Sequence, residues 1–313
     1  MSNQGDLYQP LIKRLGEFFR AQQPDARRIF HGRGRCYPGL EHVVVDWFAP
    51  VVLITVFDEL ADCELLLEAT RESDALGQIE GIVLQRRAEL GAPSQLLWGK
   101  SAESFSVSEG ELLFEVHPGV RQNVGLFLDM RLARDWLRAN SAGRNVLNLF
   151  AYTCSLSVAA LAGAAKCVTN VDISKTSIAW GQRNHELNSQ PLIQVKSIPY
   201  NVFTSWGRIK QFGRYHTVII DPPTRQRGSF DARRDYGALV RKLSRLCEPG
   251  ADVLACLNSP FLPSDFLQGL FEKYAPDFEY QERLPVAPEF EDEDPERGLK
   301  ILRFRYQPAS PDA

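Results

Sequence analysis

Apolar residues recur at helical spacing from Leu7 to Gln22, and the spacing predicts an amphipathic helix there. Residues 40 to 57 read as two strands joined around Ala49-Pro50. A helix follows from Asp62 (DCELLLEAT) and a strand from Ile79 to Arg87. This mixture predicts a small α+β domain over residues 1–110. From about Glu111 the pattern changes to helices alternating with short apolar strands. Strands are expected at Asn145–Phe150, Cys167–Val171, Ile193–Ile198, His216–Ile220 and Asp252–Leu257. Helices are expected at Ser155–Gly163, Lys175–Leu187, Tyr236–Cys247 and Ser264–Tyr274. Such βαβα repetition predicts an α/β domain over residues 111–313, with a parallel sheet covered by helices on both faces. A last strand, Lys300–Tyr306, is expected to add at an edge. Ligands of such sheets sit at the carboxyl ends of the strands, so the loops there are the candidates for chemistry.

Composition narrows the class. The 313 residues suit two domains, and an apolar fraction of 44% with 24% charged residues excludes bulk disorder. The longest apolar run, Trp47 to Phe57, contains a proline and falls short of the ~20 residues of a membrane span. No membrane association is expected. The N-terminal stretch lacks the apolar core of a secretory signal. Cys36, Cys63, Cys154, Cys167, Cys247 and Cys256 are scattered without a CxxC pair. Neither a metal site nor a disulfide framework is expected, and a reducing, cytoplasmic setting fits best.

The net charge of −3 hides segregation. Arg225, Arg227, Arg233, Arg234, Arg241, Lys242 and Arg245 cluster against only Asp231 and Asp235. Arg27, Arg28, Arg33 and Arg35 form a second basic stretch, and acid concentrates in Glu289 to Glu296. Charge separated this way can steer a polyanion to one face, although solvated arginines alone give the same pattern.

Three loops stand out. The first expected strand runs into Asn148-Leu149-Phe150-Ala151-Tyr152-Thr153-Cys154-Ser155, which is not the GxGxxG of dinucleotide sites. The second ends on Asp172, placed to accept from ribose hydroxyls or to cap the next helix. The fourth ends on Asp221-Pro222-Pro223-Thr224. Successive prolines fix φ twice and remove two donors, so the loop is stiff and its carbonyls remain as acceptors.

With Gly125 to Arg131 (GLFLDMR), Leu147 to Thr153 (LNLFAYT), Val171 to Ser174, Asn184, Asn188 and DPPT, the chain resembles class I S-adenosylmethionine-dependent methyltransferases that modify bases of ribosomal RNA. The resemblance covers residues 25 to 306. Pro38-Gly39-Leu40 and Asp46 are similar to the small domain that precedes the catalytic one in this family. It implies a Rossmann-like, seven-stranded sheet with the last strand antiparallel, S-adenosylmethionine as cofactor and RNA as partner. It leaves the oligomeric state open.

By the same resemblance, Asp129, Arg131, Asn148, Phe150, Ala151, Tyr152, Thr153, Cys154, Ser155, Asp172, Ile173, Asn201, Val202 and Asp221 are expected around the cofactor. Asp221, Pro222, Pro223, Thr224 and Asn258 are expected to present the target base. Arg27, Arg28, Arg33, Arg35, Arg225, Arg227, Arg233 and Arg234 are expected on RNA. The chain looks closer to the guanine-N7 branch than to the 5-methylcytosine branch. Cytosine C5 needs a thiolate to add at C6, whereas guanine N7 already offers a lone pair and needs only placement. Thr224 and Asn258 favour the second chemistry; Cys256 keeps the first open. Three departures from the family pattern are Cys154 for a glycine, Asn201 for an aspartate and Gly163-Ala164-Ala165 for Gly-Gly-Ala. Cys154 is expected to narrow the cofactor loop. A catalytically weak RNA-binding scaffold and a small-molecule methyltransferase are the rival readings; the missing glycine fingerprint disfavours a nicotinamide enzyme.

Overall fold

The computed structural model describes residues 4–226 and 230–309. It divides into two compact units, Met1–Leu128 with Ala287–Asp294, and Asp129–Val286 with Pro295–Ala313.

In the first unit, helix α1 (Gln4–Arg20) buries Tyr8, Leu11, Leu15 and Phe19, one stripe at helical spacing. A five-stranded sheet runs in the order β1-β2-β3-β4-β5. Its strands are β1 (Arg27–His31), β2 (Val43–Phe48), β3 (Val51–Val56), β4 (Gly81–Arg86) and β5 (Ser94–Gly99). Every residue of β2 and β3 is buried, which explains their strongly apolar sequence, Asp46 in β2 excepted. Helix α2 (Cys63–Glu72) makes the crossover between the parallel β3 and β4, and Asp62 caps it by accepting from Leu65 N at 2.9 Å. A hairpin of β6 (Phe105–Glu109) and β7 (Leu112–Val116) spans residue 110, and the first unit continues to Leu128. The acidic stretch is divided, with Glu289 to Asp294 in the first unit and Glu296 in the second.

The second unit opens with α3 (Arg131–Asn140), β8 (Asn145–Leu149), α4 (Ser155–Ala162), β9 (Cys167–Val171), α5 (Lys175–Leu187), β10 (Val195–Ile198), α6 (Trp206–Gln211) and β11 (Tyr215–Ile220). Two short strands, β12 (Arg225–Gln226) and β13 (Phe230–Asp231), precede α7 (Ala232–Val240), β14 (Cys247–Asn258), α8 (Ser264–Tyr274), β15 (Phe278–Arg283) and β16 (Leu299–Tyr306). The seven-stranded sheet runs β10-β9-β8-β11-β14-β16-β15, with only β16 antiparallel to its neighbours. Val146, Val168, Val218, Ile219, Val253 and Leu254 are fully buried along its centre.

Two expectations are corrected. Lys300–Tyr306 is not an edge strand: β16 lies between β14 and β15, pairing Cys256 with Ile301 and Tyr280 with Phe304. Its near-continuous burial requires neighbours on both sides, whereas β15, mostly exposed, forms the edge. The helix expected over Tyr236–Cys247 is α7, which starts and ends earlier. Asp231 caps its N-terminus by accepting from Arg233 N, and Cys247 already pairs with Tyr215 in the sheet. The order reverses direction between β8 and β11, so their carboxyl ends open a crevice.

Candidate cofactor and base-binding site at the strand tips

The loop leaving β8 carries an unusual backbone. Phe150, Tyr152 and Cys154 all adopt positive φ (61°, 47° and 62°). Non-glycine residues enter this region at a cost of about 1–2 kcal/mol each, so the loop is held by its surroundings. Ala151 N donates to Val171 O at 3.0 Å, and Cys154 N donates to Ala151 O at 2.8 Å. Asp172, at the tip of β9, accepts from Tyr152 N at 2.9 Å and from Ser174 N at 2.8 Å. One carboxylate therefore ties the two strand tips together, while the cap of α5 is Ser174, whose Oγ accepts from Ser177 N at 3.1 Å. Burial raises the Asp172 pKa, and these two backbone donors oppose that rise.

Cys154 starts α4 and is buried. Its side chain lies against α5, where a Cβ placed on Gly181 would come within 2.3 Å of Sγ. The sulfur thus occupies space that Gly181 leaves empty, on the α5 side of the loop. Burial pushes its thiol well above the usual range. Asn184, also on α5, donates to Thr153 O at 2.9 Å.

At the next tips, Asn201 Oδ1 accepts from Phe203 N at 2.8 Å, so its carbonyl caps a short turn with Val202 buried beneath. Phe230 packs edge-on to Phe150 (5.3 Å between centroids) and parallel to Phe203 (6.2 Å). After β11, Asp221 is pushed up to about 7, first by burial and second by the negative charge of Asp129. Pro222 is buried. Thr224 Oγ1 donates to Asn258 O, joining the tips of β11 and β14. Cys256, two residues before the exposed Asn258, is buried, and its thiol is raised well above the usual range by burial and by Asp221 and Asp129. A thiolate there is uphill.

This geometry can be set against known proteins. The S-adenosylmethionine-dependent methyltransferase family matches residues 27–305, nearly the whole chain. The chain belongs to that family. Among curated relatives, ribosomal RNA large subunit methyltransferase K/L of Shewanella loihica is 43% identical over 141 residues, which is 44% of this chain and 20% of that protein. The enzyme of the same name from Hahella chejuensis is 29% identical over 79% of this chain and 35% of that protein. The chain thus spans about a fifth to a third of the length of these relatives. Among solved structures, a candidate methyltransferase complexed with SAH superposes with a TM-score of 0.81 at 23% identity, covering 95% of this chain and 81% of that one. The M. jannaschii tRNA m1G37 methyltransferase gives a TM-score of 0.59 at 17% identity, covering 87% and 78%. At these identities the structures show the shared fold.

The cofactor of the family is S-adenosylmethionine, and the strand tips fit it. Asp172 keeps lone pairs beyond its two backbone bonds, Ile173 is half exposed beside it, and the acidic Asp129 and Asp221 suit a sulfonium or ammonium group. Other site residues lie differently. Asn148 is fully buried beneath α4, donating to Ser157 Oγ at 2.9 Å and to Asn170 Oδ1 at 3.4 Å. Its place is in the polar packing under the loop. Ser155 Oγ accepts from the buried Arg134 at 3.4 Å. Arg131 approaches Asp135 at 3.8 Å.

The arginines divide as well. Arg28 makes a two-pronged pair with Asp46 (2.8 and 3.1 Å) and covers the Phe290 ring at 4.5 Å, and Arg27 meets Asp25 at 3.3 Å. Arg33 and Arg35 are exposed, with Arg33 over the Phe57 ring at 4.1 Å. Burial and the charges of Arg28 and Arg33 push His31 down to about 3. In the second unit, Arg234 pairs with Asp235 through two 2.8 Å bonds, and Arg233 is exposed. Arg227 and the side chain of Arg225 lie outside the described residues.

Sequence reasoning did not single out Gly181 or Lys300. Lys300 Nζ is fully buried and donates to Ser259 O (2.8 Å), Glu296 O (2.5 Å) and Gly298 O (2.8 Å). An alternating lysine in a strand carries no signal of that role.

Proposed function

We propose that this protein transfers the methyl group of S-adenosylmethionine directly to a base of ribosomal RNA, with guanine N7 as the acceptor. The observation that carries the reading is the state of the groups around the Asp221–Thr224 loop. The Thr224 hydroxyl is engaged by Asn258 O, and the Cys256 thiol is buried beside acidic groups. The loop offers rigid positioning and no activated nucleophile. N7 of guanine carries an in-plane lone pair and loses no proton on methylation, so in-line placement about 3 Å from the methyl carbon suffices. Cytosine C5 would require a thiolate that this setting disfavours. The names of the curated relatives support ribosomal RNA as the substrate.

In this reading Asp172 holds the ribose, the Phe150–Cys154 loop flanks the methionine portion, and Asp129 with Asp221 faces the positive end. The described cations Arg33, Arg35 and Arg233 serve RNA through its phosphates. The test uses labelled S-adenosylmethionine and ribosomal RNA from cells lacking the protein. Label on guanine N7 makes the site cleavable by mild reduction and aniline. Label on cytosine, or label that resists this treatment, refutes the N7 assignment.

A further inference from the structure

After β14 the chain runs Asn258-Ser259-Pro260-Phe261-Leu262-Pro263-Ser264, and its backbone is fastened at several points. Asn258 O accepts from Thr224 Oγ1 of the DPPT loop. Ser259 O accepts from the buried ammonium of Lys300. Ser259 Oγ accepts from Phe261 N at 3.2 Å. Leu262 is buried in the core of the second unit. Ser264 donates to the Glu296 carboxylate from its backbone N (2.6 Å) and from Oγ (3.0 Å). Pro260 and Pro263 restrict φ on both sides. Phe261 is the large apolar side chain of this loop that stays in water, with 75% of its surface exposed.

A single exposed apolar side chain is ordinary on a protein surface. This one differs because its loop is fastened on both sides of the ring and, three residues before it, Asn258 O accepts from Thr224 Oγ1 of the Asp221–Thr224 loop. A buried lysine and two prolines hold the backbone that carries a large, exposed apolar ring beyond the carboxyl end of β14, the strand that neighbours β11. Phe203, Phe230 and Phe150, in contrast, pack against one another. Thr224 supplies no ring after the two prolines, and Phe261 brings an exposed aromatic face to the neighbouring strand tip.

We infer that Phe261 is the stacking platform for the nucleobase delivered to the Asp221–Thr224 loop. This rests on the RNA-base reading above. An RNA base that leaves its helix loses stacking and regains it on an aromatic ring, a contact that tolerates any base and so supplies affinity while the loop supplies position. Lys300 is then a positioning residue, holding Ser259 and through it the backbone that carries the ring.

The test compares the full chain with F261A, F261L and F261W. Label transfer to ribosomal RNA from cells lacking the protein gives kcat and KM for RNA. Calorimetry with S-adenosylmethionine and thermal melting control for the cofactor site and the fold. The expected result is a KM for RNA raised roughly 10- to 100-fold in both F261A and F261L, with cofactor affinity and melting unchanged. F261W keeps KM within about threefold of the wild type, because its ring also stacks. A wild-type KM in F261L overturns the proposal, since an apolar side chain without a π-face would then suffice. Failure of the wild-type chain to label any RNA removes the underlying reading, and this one with it, before any variant is made.

Discussion

The sulfur of Cys154 occupies the place where Gly181 would carry a side chain: a Cβ there would sit 2.3 Å from Sγ and 2.8 Å from the Cys154 Cβ. A residue with positive φ that lacks glycine's freedom is thereby accommodated by a glycine on the facing helix. The two positions should behave as one unit. G181A is expected to lose about 1–3 kcal/mol of stability through overpacking, and to weaken S-adenosylmethionine binding by displacing the loop. C154G alone relieves the left-handed strain but empties the space, so its net effect is small. Combined with G181A it should recover most of the loss. Denaturant unfolding of the four proteins checks this, and additive effects would show the contact to be unimportant.

A second prediction concerns pH. Asp221 is pushed up to about 7 by burial and by Asp129. Between about pH 4 and pH 7 the folded chain therefore keeps a proton that the unfolded chain releases. Stability from this group falls as pH rises through that window and is level above it. D221N removes the penalty. Its gain over wild type should be absent near pH 4 and reach on the order of 2 kcal/mol above pH 7, about half the ceiling set by the shift. The ionised pair also favours a cation, so S-adenosylmethionine should bind more tightly at pH 8 than at pH 6, by at most about tenfold. S-adenosylhomocysteine lacks the sulfonium charge and should change less. Equal pH dependence for the two ligands would place the positive centre away from Asp129 and Asp221.

What could be read from sequence here follows the physics of burial. The strand His216–Ile220 and the loop Asp221–Thr224 were legible because the apolar residues Val218, Ile219 and Ile220 run directly into Asp221 and two prolines. Asp172 was legible from its place after a strand, although not its two backbone bonds to Tyr152 and Ser174. Strand β15 was not legible, since an exposed edge leaves FEYQER without apolar alternation. Nor were the partners of Arg27 and Arg28: their charge marks a basic stretch in sequence, but Asp25 and Asp46 neutralise it in space. Long-range complementarity, such as Cys154 with Gly181, has no local signature at all.

Cys256 offers a test of direct transfer. Its thiol is buried, and Asp221 and Asp129 further disfavour the thiolate. C256A should retain kcat within about threefold of wild type, because the proposed direct transfer forms no bond to this sulfur. C256S controls for the volume lost. A fall of a thousandfold in both variants, with the fold and cofactor binding intact, would restore the covalent route and cytosine as substrate.

The adjacent arginines Arg233 and Arg234 should separate in a salt titration of RNA binding. Both are exposed, but Arg234 already meets Asp235 through two hydrogen bonds, while Arg233 donates its backbone N–H to the Asp231 cap. Each protein cation that neutralises a phosphate releases the counterions condensed there and contributes about one to the slope of log K against log salt. R233A should therefore reduce that slope by about one. R234A should reduce it by less, because binding a phosphate there must first compete with Asp235. D235N should raise affinity and steepen the slope by freeing the Arg234 charge. Slopes that are equal in all three variants and the wild type would place the RNA backbone elsewhere on the protein.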